Sequence, residues 1–318
     1  MDDLSAILSA GILPFIGKNV ATKGGFKSWI FDGTYSPAIT EEGDLFLERV
    51  PVEQFSNAMS LDFERFSLSS LETYCVALSE QHEFGSASWP LLKLYYSSFF
   101  AAHAILRGRG AGVVNLEKSH ADHLTQIIQI YGDPDHVFKS GSYLITTSIQ
   151  GGIGRGELSV KLKRAPEKKG VHEAFWLMFS DYLVEQAEVA IVAGLPDSKE
   201  FLLSSMALRA ALLEGGGGSS WMSSIRNRIN YQHDFETWLP FRKGSEASIV
   251  SKFSRELPVN NHNLEISKRK SPILAFANIS CHVANINFEL GNYVADRSSK
   301  GGAFGQKWRR LKSQMKIA

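Results

Sequence analysis

Between Arg226 and His233 the chain reads Arg-Asn-Arg-Ile-Asn-Tyr-Gln-His. An α-helix advances about 100° and about 1.5 Å per residue, so positions i, i+4 and i+7 nearly superimpose. On such a helix Trp221, Met222, Ile225 and Ile229 form the core stripe, while Arg226, Asn230 and His233 line its border, where a cleft or a partner surface would lie. Arg228 falls on the opposite edge and Asn227 faces away from the core. A guanidinium fork, an amide and an imidazole in one row suit cleavage of RNA by internal transesterification. In that reaction the ribose 2′-OH attacks the adjacent phosphate, the 5′-oxygen leaves, and negative charge builds on the phosphoryl oxygens. An imidazole near its ordinary pKa of roughly 6.5 moves protons at neutral pH, and an arginine fork binds the equatorial oxygens as charge grows on them. His233 is therefore expected as general acid/base and Arg226 as the phosphate-oxygen stabiliser. Asn227 or Asn230 would support orientation, with no metal and no cofactor required. Spacing alone carries little weight, because Arg255 and His262 repeat it across Pro258, where no helix can run.

These side chains need helices to hold them. The segment 94–110, LYYSSFFAAHAILRGRG, pairs Tyr95 with Tyr96, offers small residues to a neighbouring helix and ends at glycines. Pro90 opens this helix, which is nearly apolar all round and so is expected at the centre of a bundle. From Leu68 the apolar residues recur at three and four, through Leu71, Tyr74, Cys75 and Leu78. Helices over 68–83, 90–107, 175–193 and 220–235 should form the bundle, with others at 120–131, 201–213 and from Pro272 to about Val294. Ser219 and Ser220 are candidate N-caps for the arginine–histidine helix, and Pro240 ends it. Residues 1–56 read as an N-terminal accessory element, extended or hairpin-like through LFLERV, with Trp29 and Phe31 as buried anchors. A small β element is expected near 140–163, around GGIGRG at 151–156. That run lacks the Lys-Ser/Thr of a phosphate loop and reads as a hairpin turn.

The 318 residues suffice for a sizeable core, and the net charge of +1 confines any nucleic-acid contact to local patches. The basic stretches 161–169, 268–270 and 307–316 supply such patches. Lys161, Lys163, Arg164, Arg228, Arg309 and Arg310 are the expected backbone contacts, with Trp308 able to stack on a base. Cys75 and Cys281 stand in apolar helical contexts without zinc spacing, which fits small core residues in a reducing compartment. The acidic start at Asp2 and Asp3 and the short apolar run 4–16 fit neither a signal peptide nor a membrane span, so a cytoplasmic protein is expected.

The helix carrying Tyr95-Tyr96-Ser-Ser-Phe-Phe-Ala-Ala-His103, the later Lys118-Ser119-His120 step, and Arg226-Asn227 followed by His233 together resemble the HEPN superfamily. This is the higher eukaryotes and prokaryotes nucleotide-binding group, helical-bundle proteins that include toxin and anti-phage ribonucleases. The likeness covers roughly 68–240, with a long interruption between about 135 and 170. The family's signature is Arg, often followed by Asn, then His after four to six residues. Arg226 fits its upper limit and Arg228 its shorter spacing, so the catalytic arginine stays open between the two. Phe235 stands where some family toxins carry a Tyr that a partner antitoxin modifies. The resemblance implies a mainly α, HEPN-like bundle over 57–240 with the β insertion near 140–170, and a C-terminal helical extension over 241–318 with a basic tail.

It also implies an endoribonuclease acting as a toxin or anti-phage effector. In the family two such helices face one another across a two-fold axis, so a homodimer is expected. An antitoxin or defence-complex partner is a further possible associate. The alternative is a catalytically silent structural or sensory subunit in which Arg226 and His233 serve an interface; nucleotide binding without cleavage is a weaker third. His103 reads as a core histidine, and His120 and His123 as helix-opening residues able to meet a phosphate.

Overall fold

The computed structural model describes residues 7–9, 12–13, 16–17, 24–80, 86–131, 133–149, 158–166, 171–213, 221–238, 271–298 and 303–314. The glycine-rich turn at 151–156, the glycines at 215–218 with Ser219 and Ser220, Pro240 and the basic run 268–270 lie outside the described residues.

Two long helices, α2 (Val52–Glu80) and α3 (Ser88–Gly108), pack along one another, and a third, α8 (Pro272–Arg297), lies against both. Helix α3 starts where Pro90 falls in the first turn, whose N–H groups have no helical partner to lose. It is buried along most of its length, as an all-round apolar helix should be. Small residues allow the close approach. Ser97 Oγ donates to Ser70 O at 2.8 Å across the α2–α3 contact. On the α8 side, Asn287 Nδ2 donates to Ser67 O at 3.3 Å and its Oδ1 accepts from Ser67 Oγ at 2.9 Å. Ser271 caps α8 by accepting from Leu274 N–H, with Pro272 following at the first helical position.

The remaining helices surround this trio. They are α1 (Phe26–Asp32), α4 (Lys118–Tyr131), α5 (Val171–Val192), α6 (Ser198–Leu213), α7 (Trp221–Asn227) and α9 (Ala303–Gln314). A five-stranded antiparallel sheet takes the order β1-β2-β5-β4-β3. Its strands are β1 (Ser36–Ile39), β2 (Leu45–Val50), β3 (Gly112–Leu116), β4 (Gly141–Ile149) and β5 (Leu158–Arg164). In β5 the residues Leu158, Val160 and Leu162 are buried, the period-two pattern of a half-covered strand. Strand β2 bulges between Leu47 and Val50, where Arg49 takes a φ of 55°. The chain is thus mainly helical with a small antiparallel sheet. No helix among the described residues is long and apolar enough to cross a membrane.

The structure departs from the sequence expectation in four places. Helix α2 begins at Val52, not Leu68, because Phe55, Met59 and Phe63 already recur at four and are buried. The β element is larger than 140–163, since β2 pairs with β5 and joins the N-terminal hairpin to the insertion as one sheet. Trp308 is 1 % exposed, packs on Phe304 and Phe288, and donates from Nε1 to Asn292 Oδ1. It anchors α9 and offers no face to a base. Phe31, expected as a buried anchor, is instead half-exposed beneath the His120 and His123 rings.

At the C-terminal end of α3, Arg107 is buried and bound by Asp62, which is itself buried. Removing the carboxylate leaves a buried cation without its countercharge, which typically costs about 3–5 kcal/mol. Asp62→Ala should therefore lower the free energy of urea unfolding by that order. A loss below about 1 kcal/mol would show that the pair contributes little.

Candidate active site

Helix α7 buries Met222 and Ile225, the turn after it buries Ile229, and α7 packs against α3, α6 and α8. At Arg228 the α-helix widens into a π turn that runs to Gln232, and His233 follows with φ 53° and ψ 31°. Phe235 and Glu236 also have positive φ, 68° and 53°. The α-helical superposition of Arg226 with His233 is therefore not realised, because the turn geometry changes between them and His233 stands beyond the helix end. A π turn and a cluster of left-handed, non-glycine residues are both features that gather at functional sites.

The chain after His233 is tied to the start of α3. Thr237 O accepts from Ala87 N–H at 3.1 Å and Ser86 Oγ at 2.9 Å, and Thr237 Oγ1 accepts from Ser88 Oγ at 2.7 Å. Trp238 Nε1 donates to Ile229 O at 2.6 Å, and its ring meets Trp89 edge-on at 5.3 Å. The His233 ring lies 5.7 Å from Trp238 and is exposed to solvent. Trp89, which meets Trp238, is 52 % exposed, and Tyr231, two residues before His233, is 72 % exposed, aromatic surface of the kind on which bases stack.

Arg226 takes a different direction. Its guanidinium lies 5.4 Å from the centroid of Tyr95 and 5.9 Å from that of Tyr96, a double cation–π contact with α3. Its Nε is buried without a hydrogen-bond partner. Tyr95 Oη and Ser223 Oγ are 3.2 Å apart. Burial raises the Tyr95 pKa, with Ser223 and Arg226 pulling the other way. Arg228 is occupied: Nε binds Asp234 Oδ2 at 2.8 Å and the guanidinium covers Phe235 at 4.3 Å. Of the two arginines, Arg226 keeps its Nε unused, whereas that of Arg228 is bonded. Asn230 is half-buried on the π turn and Asn227 is exposed at its start.

A second histidine, not singled out in the sequence, belongs to this neighbourhood. His172 opens α5, with its ring 5.3 Å from Phe99. Burial, and then the charge of Arg226, lowers its pKa. His103 is more deeply placed, ringed by Phe66, Phe99 and Phe175, and burial followed by Arg107 and His172 holds it well below the ordinary imidazole value. Only the fold joins 103, 172 and 226, so no local spacing announces them.

The expected backbone contacts are dispersed over three places. Lys161 on β5 pairs with Asp44 at 2.8 Å and lies over Phe46, with Lys163 and Arg164 exposed on the same strand. Arg309 and Arg310 are exposed on α9, and Arg228 is on the π turn. His120 and His123 meet Phe31 with tilted rings at 4.8 and 5.1 Å, so α4's opening histidines take part in packing. Among the described residues no three His, Cys, Asp or Glu side chains gather as a metal-binding set. No protein-family model, no curated protein and no solved structure matches the chain.

The buried imidazoles give a signed pH effect. His103, His172 and His120 have lowered pKa values in the fold, so below about pH 6.5 the unfolded chain binds more protons than the folded one. Stability should fall as pH drops from about 7 to about 5.5. Glu289, raised by burial, opposes the trend, so the test compares variants. His103→Gln should show a shallower fall in urea midpoint than the wild type. Equal slopes would mean that His103 exchanges protons freely in the fold.

Proposed function

We propose that this chain is a HEPN-type, metal-independent endoribonuclease that cleaves RNA through 2′-OH attack and serves as a toxin or anti-phage effector. The observation that carries the reading is the contrast across the π turn. A half-buried arginine keeps an unpartnered Nε beside α3, and seven residues later, past the turn, an exposed imidazole stands beside Trp238. The arginine suits a phosphate on which charge grows, and the imidazole suits proton transfer at neutral pH. Trp89 and Tyr231 offer faces on which an unpaired base can stack. Arg228, committed to Asp234, is the lesser candidate for the catalytic arginine.

One exposed histidine does not readily serve both as base for the 2′-OH and as acid for the leaving oxygen in one step. The reading therefore includes a homodimer, in which two copies of the 221–238 segment face one another and each supplies a His233. Holding the copies apart, or covering the segment with an antitoxin or another defence protein, would silence such an enzyme.

A second reading has its own support. The cation–π contacts of Arg226 with Tyr95 and Tyr96 fasten α7 to α3, which is what a silent structural or sensory subunit would ask of that residue. Expression toxicity and RNA cleavage in the presence of EDTA separate the two. His233→Ala should fold like the wild type and lose cleavage by about 10²–10⁴-fold. Mass in solution should report a dimer under the conditions of cleavage. Wild-type rates from His233→Ala, or full cleavage by a monomer, would remove the ribonuclease assignment or its composite site respectively.

A further inference from the structure

The first turn of α5 and the helices beside it gather polar atoms that lack partners. His172 is the second residue of α5, a helix of 22 residues whose dipole is positive at this end. Its Nδ1 is buried and makes no hydrogen bond, and the same holds for Arg226 Nε and His103 Nδ1. His103 is only 8 % exposed. An unsatisfied buried polar atom costs roughly 1–3 kcal/mol, so three in one neighbourhood call for a function.

They share the same aromatic wall. Phe99 meets His172 at 5.3 Å and His103 at 4.6 Å, and it stacks with Tyr95 at 6.1 Å. Tyr95 in turn carries the guanidinium of Arg226. The charged groups that act on His172 and His103 are cations or imidazoles, namely Arg226, Arg107 and His172 itself. Of these, Arg107 already has Asp62, whereas among the described residues no carboxylate pairs with Arg226. Arg226 and His172 are half-buried and Tyr96 is 40 % exposed, so the junction reaches solvent. The same turn carries one carboxylate, Glu173, which has an interaction of its own; beside it Arg226 and His172 bring the positive potential, unused donors and access to solvent that an anion site requires.

We propose that Arg226, His172 and the first turn of α5 form a phosphate-binding site within one protomer, with His103 behind it, which holds a phosphodiester of single-stranded RNA. That the phosphate belongs to RNA rests on the ribonuclease reading; the anion site itself does not. The fork of Arg226 takes two phosphoryl oxygens, and His172 with the α5 amides takes the others. The site needs no partner chain, so it orders the substrate before a second His233 arrives.

The test is carbethoxylation of the full-length wild-type protein, followed histidine by histidine through peptide mass spectrometry. Two probes are used, inorganic phosphate and a 2′-O-methyl RNA that cannot be cleaved. With either probe at about ten times its Kd, modification of His172 should slow roughly tenfold, while the surface His136 reacts as before. Arg226→Lys, which replaces the fork with a point charge, should weaken that protection about tenfold. A His172 that reacts at the same rate with and without both probes overturns the site. So does one that fails to react even in their absence, because an anion then has no path to it. Protection by phosphate in a protein that cleaves no RNA supports the anion site and removes the ribonuclease reading.

Discussion

Arg107 brings a guanidinium to a position only 3 % exposed, at the point where α3 stops and β3 begins. Burial works against that charge, and Asp62 of α2 offsets it from 3.4 Å. The fork then donates to Ala111 O in the link after α3 and to Val113 O on β3, both at 2.8 Å. Gly112 stands where a β-carbon would come within 2.0 Å of Arg107 Nη1, and its φ of 140° favours glycine on its own account. Asp62 also accepts from the Phe26 amide at the start of α1. One charged pair thereby fixes two long helices, the entry to the sheet and the N-terminal helix relative to one another.

The other end of α3 is held by Thr237, through the hydroxyls of Ser86 and Ser88 and the amide of Ala87. With both ends pinned, the residues between them have little freedom to turn. Tyr95, Phe99 and His103 follow one another at intervals of four along one face of the helix and form the wall that α5 and α7 meet. Arg226 and His172 come from segments more than fifty residues apart, and each reaches that wall from its own helix. Their meeting depends on α3 staying where Arg107 and Thr237 hold it.

Much of this was legible in the chain. The glycine stop after Leu106, the all-round apolar character of 94–106 and the 3.6-residue period through Leu71, Tyr74 and Leu78 mark α3 and the second half of α2. The alternation in 158–162 marks β5. The first half of α2 was hidden by its polar interruptions, Asn57 and Asp62, which are buried for tertiary reasons that no local period records. Strand β3 was too short at five residues for an alternation to show. At the site, Arg226 and the neighbouring Tyr95–Tyr96 pair were visible as residue types. The π turn was not, because a single residue's widening of the helix leaves hydrophobic spacing almost unchanged while rotating everything beyond it. His172 carried no signal, since its partners lie on α3 and α7.

The rotation has a consequence for what each side chain does. Left-handed backbone at His233, Phe235 and Glu236 costs on the order of 1–3 kcal/mol per residue, although His tolerates that region better than most. It persists because the segment is fixed on both sides. Before it, Ile229 is buried and its carbonyl accepts from Trp238; after it, Thr237 is bonded three times to the start of α3; across it, Arg228 grips Asp234. The backbone beneath His233 is consequently set by anchors and not by helical propensity, so the imidazole is presented outward while Arg226, seven residues earlier, is drawn inward onto Tyr95 and Tyr96. An uninterrupted α-helix would have put both on one edge with similar exposure. The π turn separates them into a held cation and a presented imidazole, which are different tasks in any chemistry done on a phosphate.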